Sequence, residues 1–316
     1  MLTLLSYGEA LIDFLPADNA LNSYYPMAGG APANVAVAYA KLGGNSYFAG
    51  GISEDNFGDF LLGQLEHEKV NTKYVERIAN ANTAVVLVSL DDNGERSFNF
   101  YRHQSADTKY QATDIDNIDW QSIDIFHYCS NTLTSERMFD NTVYAINKAS
   151  ANHTLISFDV NLRLQLWDNV AQLVTRVTQA IRHSDLIKLS REEAEYLAGA
   201  MNMDYAQFTA HLLAIGPKLL LVSNGEGDVH AISRTFLLLL PVPRVTVVDT
   251  TAAGDSFIGG FLFSLSQQSQ ALSVGTALTN EQIITEAVMF AVKCGAHTCQ
   301  QKGAFAALPD NNMFTF

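Results

Sequence analysis

The 316-residue sequence predicts an α/β protein, with a mostly parallel sheet sandwiched between helices in three layers. Three observations predict it. Apolar runs of strand length alternate with helix-length stretches along most of the chain, the pattern of a doubly wound sheet. Hydrophobic residues make up 48% and charged residues 16%, ample for a buried core and opposite to the balance of a disordered chain. No repeat, low-complexity tract or Gly/Ser linker divides the chain, so residues 1–316 read as a single domain.

Leu2–Tyr7 is the first buried strand. The start, Met1-Leu2-Thr3-Leu4-Leu5, lacks the basic residues and small-residue cleavage site of a signal peptide. A helix begins at Pro32, suited to a first turn, and stops at Gly43-Gly44. The alternation then breaks. Ala84–Leu90 is a strand, Asp91-Asp92-Asn93-Gly94 a turn, and Glu95–Arg102 alternates, with Arg96, Phe98, Phe100 and Arg102 on one side. This is a β-hairpin by period and by turn chemistry. It forms either a flap beside the main sheet, with residues around Phe14–Met27, or an edge of that sheet. The alternation resumes with strands Asp124–Cys129, Leu155–Val160, Asp185–Leu189, Lys218–Ser223 and Val245–Val248. Helices Met138–Ala151, Val170–His183, Arg191–Ala200, Ser256–Ser266 and Asn280–Cys294 complete it.

Composition excludes several classes of function. Nineteen Lys and Arg against 33 Asp and Glu give a formal charge of -14, which repels a polyphosphate backbone and argues against a nucleic-acid partner. Backbone amides and Mg²⁺ still allow ATP to bind. The most apolar later stretch, Thr235–Val248, is interrupted by Pro241, Pro243 and Arg244, so no membrane span is expected. Three cysteines (Cys129, Cys294 and Cys299) suit reduced thiols in the cytoplasm. Cys294 and Cys299 read as buried small hydrophobes, because no further ligand stands at metal-site spacing. The loop Gly225-Glu226-Gly227-Asp228-Val229-His230 lacks the last Gly of a dinucleotide fingerprint, and no Ser nucleophile elbow is present.

The segment Val247-Val248-Asp249-Thr250-Thr251-Ala252-Ala253-Gly254-Asp255-Ser256 runs from β-branched residues through small ones to an acid and a helix. Small residues at a helix start let a phosphate reach oriented backbone amides. Asp255 is then either a base that takes a proton from a hydroxyl or a residue capping the helix. Gly29-Gly30-Ala31-Pro32-Ala33-Asn34 is a second Gly-rich helix entry. Asn34 sits one turn into an Ala-rich helix, as a polyol ligand or as a buried structural amide. Asp13, after the first strand, could accept two sugar hydroxyls. Asn161, Arg163, Lys188, Ser190 and Glu193 gather past strand ends, where ligands of parallel sheets bind. Arg163 could hold a phosphate, and Glu193 could order Mg²⁺ water.

Together these segments resemble the ribokinase-like (phosphofructokinase-B type) carbohydrate kinases over essentially the whole chain. Gly29–Asn34 is similar to their Gly-Gly-x-x-x-Asn signature, and Asp249–Asp255 to their Asp-Thr-x-Gly/Ala-Ala-Gly-Asp signature. Within the family, Gly8-Glu9-Ala10-Leu11-Ile12-Asp13, Phe100-Tyr101-Arg102 with Ala106-Asp107, and Asn161-Leu162-Arg163 with Leu166-Trp167 resemble fructokinases. The resemblance implies an α/β/α core with a small β-sheet lid from about 14–28 and 84–105, often dimeric through that lid. It implies transfer of the γ-phosphate of ATP to the 6-hydroxyl of fructose, with Asp255 as base. An anion hole would form at Ala252, Ala253 and Gly254, and Arg163 would meet the transferred group. Asp13, Gly29, Gly30, Asn34, Arg102 and Asn161 would hold the sugar. Lys188, Ser190, Glu193, Ser223, Gly225, Gly227 and Thr251 would serve the nucleotide. The Cys294–Gly303 region would border the adenine.

Glu193 would act on Mg²⁺ indirectly, and Asp249 would face a monovalent cation such as K⁺. Ala252, Ser190, Ser53 and Gly227-Asp228 depart from the usual family pattern. The alternatives are a 2-keto-3-deoxygluconate, ribose or aminoimidazole riboside kinase, and a sugar-binding regulator without catalysis.

Overall fold

A computed structural model of the chain describes residues 1–17, 23–90, 96–268 and 274–313. The first half holds β1 (Thr3–Tyr7), β2 (Leu11–Pro16), β3 (Tyr24–Gly29), α1 (Ala31–Lys41), β4 (Asn45–Ser53), α2 (Asn56–His67), β5 (Asn71–Ile78), β6 (Val85–Leu90), β7 (Arg96–Tyr101), α3 (Ala112–Asp116), β8 (Ile125–Cys129) and α4 (Glu136–Ala151). The second half holds β9 (Leu155–Asp159), α5 (Val170–Arg182), β10 (Leu186–Ser190), α6 (Arg191–Ala200), α7 (Tyr205–Ile215), β11 (Leu219–Asn224), β12 (Gly227–Ile232), β13 (Leu237–Leu240), α8 (Ala253–Gln268), α9 (Val274–Ala277) and α10 (Glu281–Thr298).

Nine strands form one sheet in the order β13-β12-β11-β10-β9-β8-β1-β4-β5. Every pair from β11 to β5 is parallel, while β12 pairs antiparallel with both β11 and β13. Its central strands are apolar on both sides because helices cover both. Leu4, Ile125, Leu155, Leu186 and Leu219 face one core, with Phe257, Phe261, Ile284 and Val288 of α8 and α10. Leu5, Phe126, Ile156, Ile187 and Leu220 face the other, with Ile146, Val177, Leu197 and Leu212 of α4 to α7. Phe126, Tyr128 and Phe158 stack in series across that second side. Seven strands running the same way bring their carboxyl ends to one edge, where the polar residues collect.

A separate sheet of four strands, in the order β3-β2-β6-β7, takes up the hairpin expected from the sequence. β6 and β7 pair antiparallel, from Val85 opposite Tyr101 to Leu90 opposite Arg96. The hairpin is therefore not an edge of the main sheet. Its turn at 91–94, and Glu95, lie outside the described residues, as do 18–22 of the expected flap. This sheet packs a small cluster of its own, Leu11, Ala84, Val86 and Val88 with Leu15 and Phe100 against them, while Ile12 and Ala28 join the cluster that includes Val37 of α1 and Phe48 of β4.

One expected strand is absent. Val245–Val248 has no strand partner among the described residues; the N–H groups of Val248 and Asp249 instead donate to the Cys299 carbonyl at 2.8 and 3.2 Å. Val247 and Val248 are half exposed. A β-branched run becomes a strand only where a neighbour offers a free edge, and Pro241 and Pro243 carry this one away from β13. Cys294 is buried as expected, but Cys299 is only partly so.

Candidate active site

Asp255 lies in the first turn of α8, buried at the carboxyl edge of the main sheet. Its Oδ2 accepts a hydrogen bond of 2.7 Å from Asn34 Nδ2 on α1. The two helix entries singled out in the sequence, 221 residues apart, therefore meet side chain to side chain. Asn34 Oδ1 is buried and has no partner among the described residues. Leaving an amide oxygen buried and unpaired is costly, so a hydroxyl donating to it would relieve the cost.

Gly30 makes this meeting possible. It sits at the N-cap of α1 with φ +105°, in the left-handed region, and an added Cβ would lie 2.5 Å from the Glu9 carbonyl oxygen. Pro32 then sets the first turn. Asp13 projects from β2, opposite Met27 of β3 and Val86 of β6. A Cβ on Gly29 would strike its Oδ2, so the carboxylate lies directly over that glycine.

Burial pushes the Asp13 carboxyl up to about 7, and the charge of Asp255 adds to the rise while Arg163 opposes it. Burial also raises Asp255, against Asn34, Lys188 and Arg163, which favour its charged form. The two carboxylates and Arg163 thus lie close enough for each carboxyl to respond to the guanidinium charge. Arg163 itself is half-buried and gives one N–H to the Leu162 carbonyl at 2.9 Å.

The approach to Asp255 is the turn at 249–254. Asp249, almost fully buried, accepts from the Thr251 N–H at 2.7 Å and from the Gly303 N–H at 3.0 Å, tying this turn to the C-terminal loop. Ala252 takes φ +60°, the conformation in which the usual glycine is free and alanine is strained. The Ala253 N–H closes the turn on the Thr250 carbonyl at 3.2 Å. Lys188 Nζ reaches the turn from β10 and pairs at 3.0 Å with Asp159 at the end of β9.

Other expected site residues have definite structural partners. Ser190 is the N-cap of α6 and forms a capping box with Glu193. Glu193 Oε2 accepts from the Ser190 N–H and Oε1 from the Leu162 N–H, both at 2.7 Å. Asn161 is buried with φ +37°, and its carbonyl accepts from Ser130. Ser223, Gly225 and Gly227 belong to the tight β11–β12 hairpin, at the same sheet edge but two strands from β9. Arg102 follows β7, pairs with buried Asp107 and donates to the Asn131 carbonyl at 3.1 Å. Ser53 bonds to Thr83 rather than to the site.

Sequence reasoning passed over three buried residues here. Asp159 puts a charge at the end of a strand whose other residues are Leu, Ile, Ser and Phe, which was the available signal. Glu9 accepts from Asn131 Nδ2 at 2.8 Å, and Arg102 offsets part of the burial that raises its pKa. Asn131 stands in no recognisable pattern. Among the described residues no group of three His, Cys, Asp or Glu could hold a metal.

The chain matches the profile of the pfkB family carbohydrate kinases over residues 1–311. It is 36% identical to a fructokinase of Vibrio alginolyticus over 302 residues, which cover 96% of this chain and 94% of that one. Fructokinase with bound ATP from Xylella fastidiosa superposes with a TM-score of 0.93 at 38% identity, covering 98% of this chain and 96% of the other. A double mutant of fructokinase from Vibrio cholerae O395, with fructose, ADP and potassium ion bound, superposes with a TM-score of 0.87 at 32% identity, covering 99% and 97%.

Proposed function

The chain belongs to the pfkB family of carbohydrate kinases, and from that premise we propose that it acts as an ATP-dependent fructokinase, phosphorylating the 6-hydroxyl. The observation that carries the reading is the buried Asn34–Asp255 hydrogen bond, beside a small-residue turn and opposite Asp13. One helix entry supplies a group for the sugar; the other supplies both a base and a place for phosphate.

Asp13 and the free Asn34 Oδ1 accept sugar hydroxyls, with Gly29 and Gly30 giving the ring close approach and Asn161 and Arg102 bordering it. Asp255 takes the proton of the 6-hydroxyl as that oxygen attacks the terminal phosphorus of ATP. The bond from that phosphorus to the bridging oxygen breaks in line, and ADP departs with the electron pair. The N–H groups around Ala252 and Gly254, with Arg163, hold the transferred group as its charge spreads. When bound with the nucleotide, Mg²⁺ would supply further charge neutralisation, and Glu193 would order its water.

Lys188, Ser190, Thr251 and the Ser223–Gly227 hairpin border the nucleotide. Asp249 is the residue that would face a monovalent cation. The four-stranded sheet serves as the lid that keeps water out, and its exposed Tyr24 and Tyr25 support a homodimer joined there. No described helix is long and apolar enough to cross a membrane. Three cysteines without disulfides support action in the cytoplasm.

An acidic sugar such as 2-keto-3-deoxygluconate is disfavoured, because Arg102 is already paired with Asp107. The test is ADP release with MgATP and fructose, ribose, 2-keto-3-deoxygluconate or aminoimidazole riboside, in K⁺ or tetramethylammonium. Fructose in K⁺ is expected to give the highest kcat/KM. Asp255→Asn should lower turnover at least ~100-fold, the scale of a positioned base, with fructose binding retained. Near-normal turnover in that variant would overturn the assignment.

A further inference from the structure

A buried ion pair is a poor stabilising device. Two charges lose their hydration, and an apolar pair of the same volume is often as stable. Lys188 and Asp159 form such a pair, their side chains 8% and 1% exposed. They stand directly across from each other on neighbouring parallel strands, β10 and β9. The pair is also incompletely satisfied, since Asp159 Oδ1 is buried without a partner among the described residues. Stability alone therefore does not account for it.

Gly254 shows what the pair is placed to do. Its backbone is not in the left-handed region, and it lies within α8, where alanine is ordinarily the better residue. Its requirement is steric: an added Cβ would lie 2.9 Å from Lys188 Nζ and 3.8 Å from Cε. The absent side chain is the space in which the ammonium sits. Burial works against that charge, but Asp159, Glu193 and Asp255 together outweigh it and raise the Lys188 pKa.

We infer that Asp159 is a positioning residue that holds the Lys188 ammonium against the backbone at Gly254, where it meets the terminal phosphoryl group of the nucleotide. This rests on the kinase reading above. In the free protein the same carboxylate keeps Lys188 from pairing with Asp255 and quenching the base. Gly254 is then the third member of the arrangement, with no side chain so that the cation can reach the turn.

The test is a set of variants read by two measurements: kcat with fructose, and calorimetric affinity for MgAMP-PNP without any sugar. Asp159→Asn is expected to lower kcat about 10–100-fold, with the KM for fructose changed less than about 3-fold, and to weaken MgAMP-PNP about 10-fold. Lys188→Met should do at least as much. In the Lys188→Met background, adding Asp159→Asn should change neither quantity further, because residues acting through one another are not additive. Gly254→Ala should be severe alone and mild with Lys188→Met, whose terminal carbon would clear the new methyl.

An equal Asp159→Asn loss with and without Lys188, or unchanged MgAMP-PNP affinity, would overturn the inference. Thermal melting identifies a variant that has merely failed to fold, and the Lys188→Met double variants, which lack the unpaired ammonium, then carry the comparison. If the wild-type chain releases no ADP with any sugar, the kinase reading fails by itself, while the MgAMP-PNP measurements still decide whether Asp159 acts through Lys188.

Discussion

Asp13 shows at the scale of one residue how a binding site costs stability. Its carboxyl is held near 7 by burial and by Asp255, whereas an unfolded Asp titrates at about 3.9. The folded chain therefore binds the extra proton between those values. This group's contribution is complete below about pH 4 and is lost as pH rises through 7. Asp13→Asn removes the penalty while keeping the shape. At pH 8.5 its Tm should exceed that of the wild type by about 2–6 °C, and the difference should shrink as pH falls and largely vanish only below about pH 4. Sugar-dependent turnover at pH 8.5 should fall at least ~100-fold, as expected when an acceptor for two hydroxyls is lost. Equal melting temperatures at pH 8.5 would mean that the carboxylate is well solvated.

The residue types of Asp13, Asn34 and Asp255 were legible because polar groups stood where local structure did not need them. The contact between Asn34 and Asp255, across 221 positions, was not. Asp159 shows the opposite difficulty: its meaning depends wholly on Lys188 and Gly254, which lie on other elements.

Elements were legible where both faces of a strand are buried. β1, β8, β9, β10 and β11 appear within about a residue or two of their apolar runs. β4 and β5 were not, for physical reasons. Gly50-Gly51 interrupts β4, and β5 is an edge strand carrying Lys73, Glu76 and Arg77. α2, between them, owes its start to Asp55, and that residue does more than cap. Its Oδ1 accepts from the Gly58 N–H at 2.8 Å and the Thr83 hydroxyl at 2.7 Å, while Oδ2 accepts from the Thr83 N–H at 2.8 Å. Ser53 bonds to the same Thr83 hydroxyl. The entry to β6 is thereby pinned to the head of α2, which gives the Ser53 departure a structural purpose. Asp55→Ala should cost about 2–3 kcal/mol, a cap plus the tether, in urea unfolding, and should raise the KM for fructose more than it lowers kcat. A loss below about 0.5 kcal/mol, the range of an ordinary surface change, would show that the tether carries no load.

At the scale of the molecule the two sheets differ in what holds them. The nine-stranded sheet is packed on both faces by helices, with two large apolar clusters. Among the described residues the four-stranded sheet has a small cluster of its own, Leu11, Ala84, Val86 and Val88, and shares Ile12 and Ala28 with the cluster of α1 and β4. Local opening draws on the part with the fewest buried contacts, so amides of β2, β3, β6 and β7 should exchange faster than those of β1, β8, β9 and β10 in the free protein. Ligand binding stabilises the state it selects. Because Asp13 stands on β2 while Asn34 and Asp255 stand on the main body, a sugar held by all three ties the sheets together. Fructose with MgAMP-PNP should therefore slow exchange in the small sheet by at least ~10-fold, an additional stabilisation of about 1.4 kcal/mol or more, and leave the central strands little changed. Hydrogen exchange read by mass spectrometry on peptides from 11–16, 24–29 and 85–101 is the measurement. If those peptides were as protected as the central strands before ligand, or unaltered after it, the small sheet would be a fixed wall of the site rather than its lid.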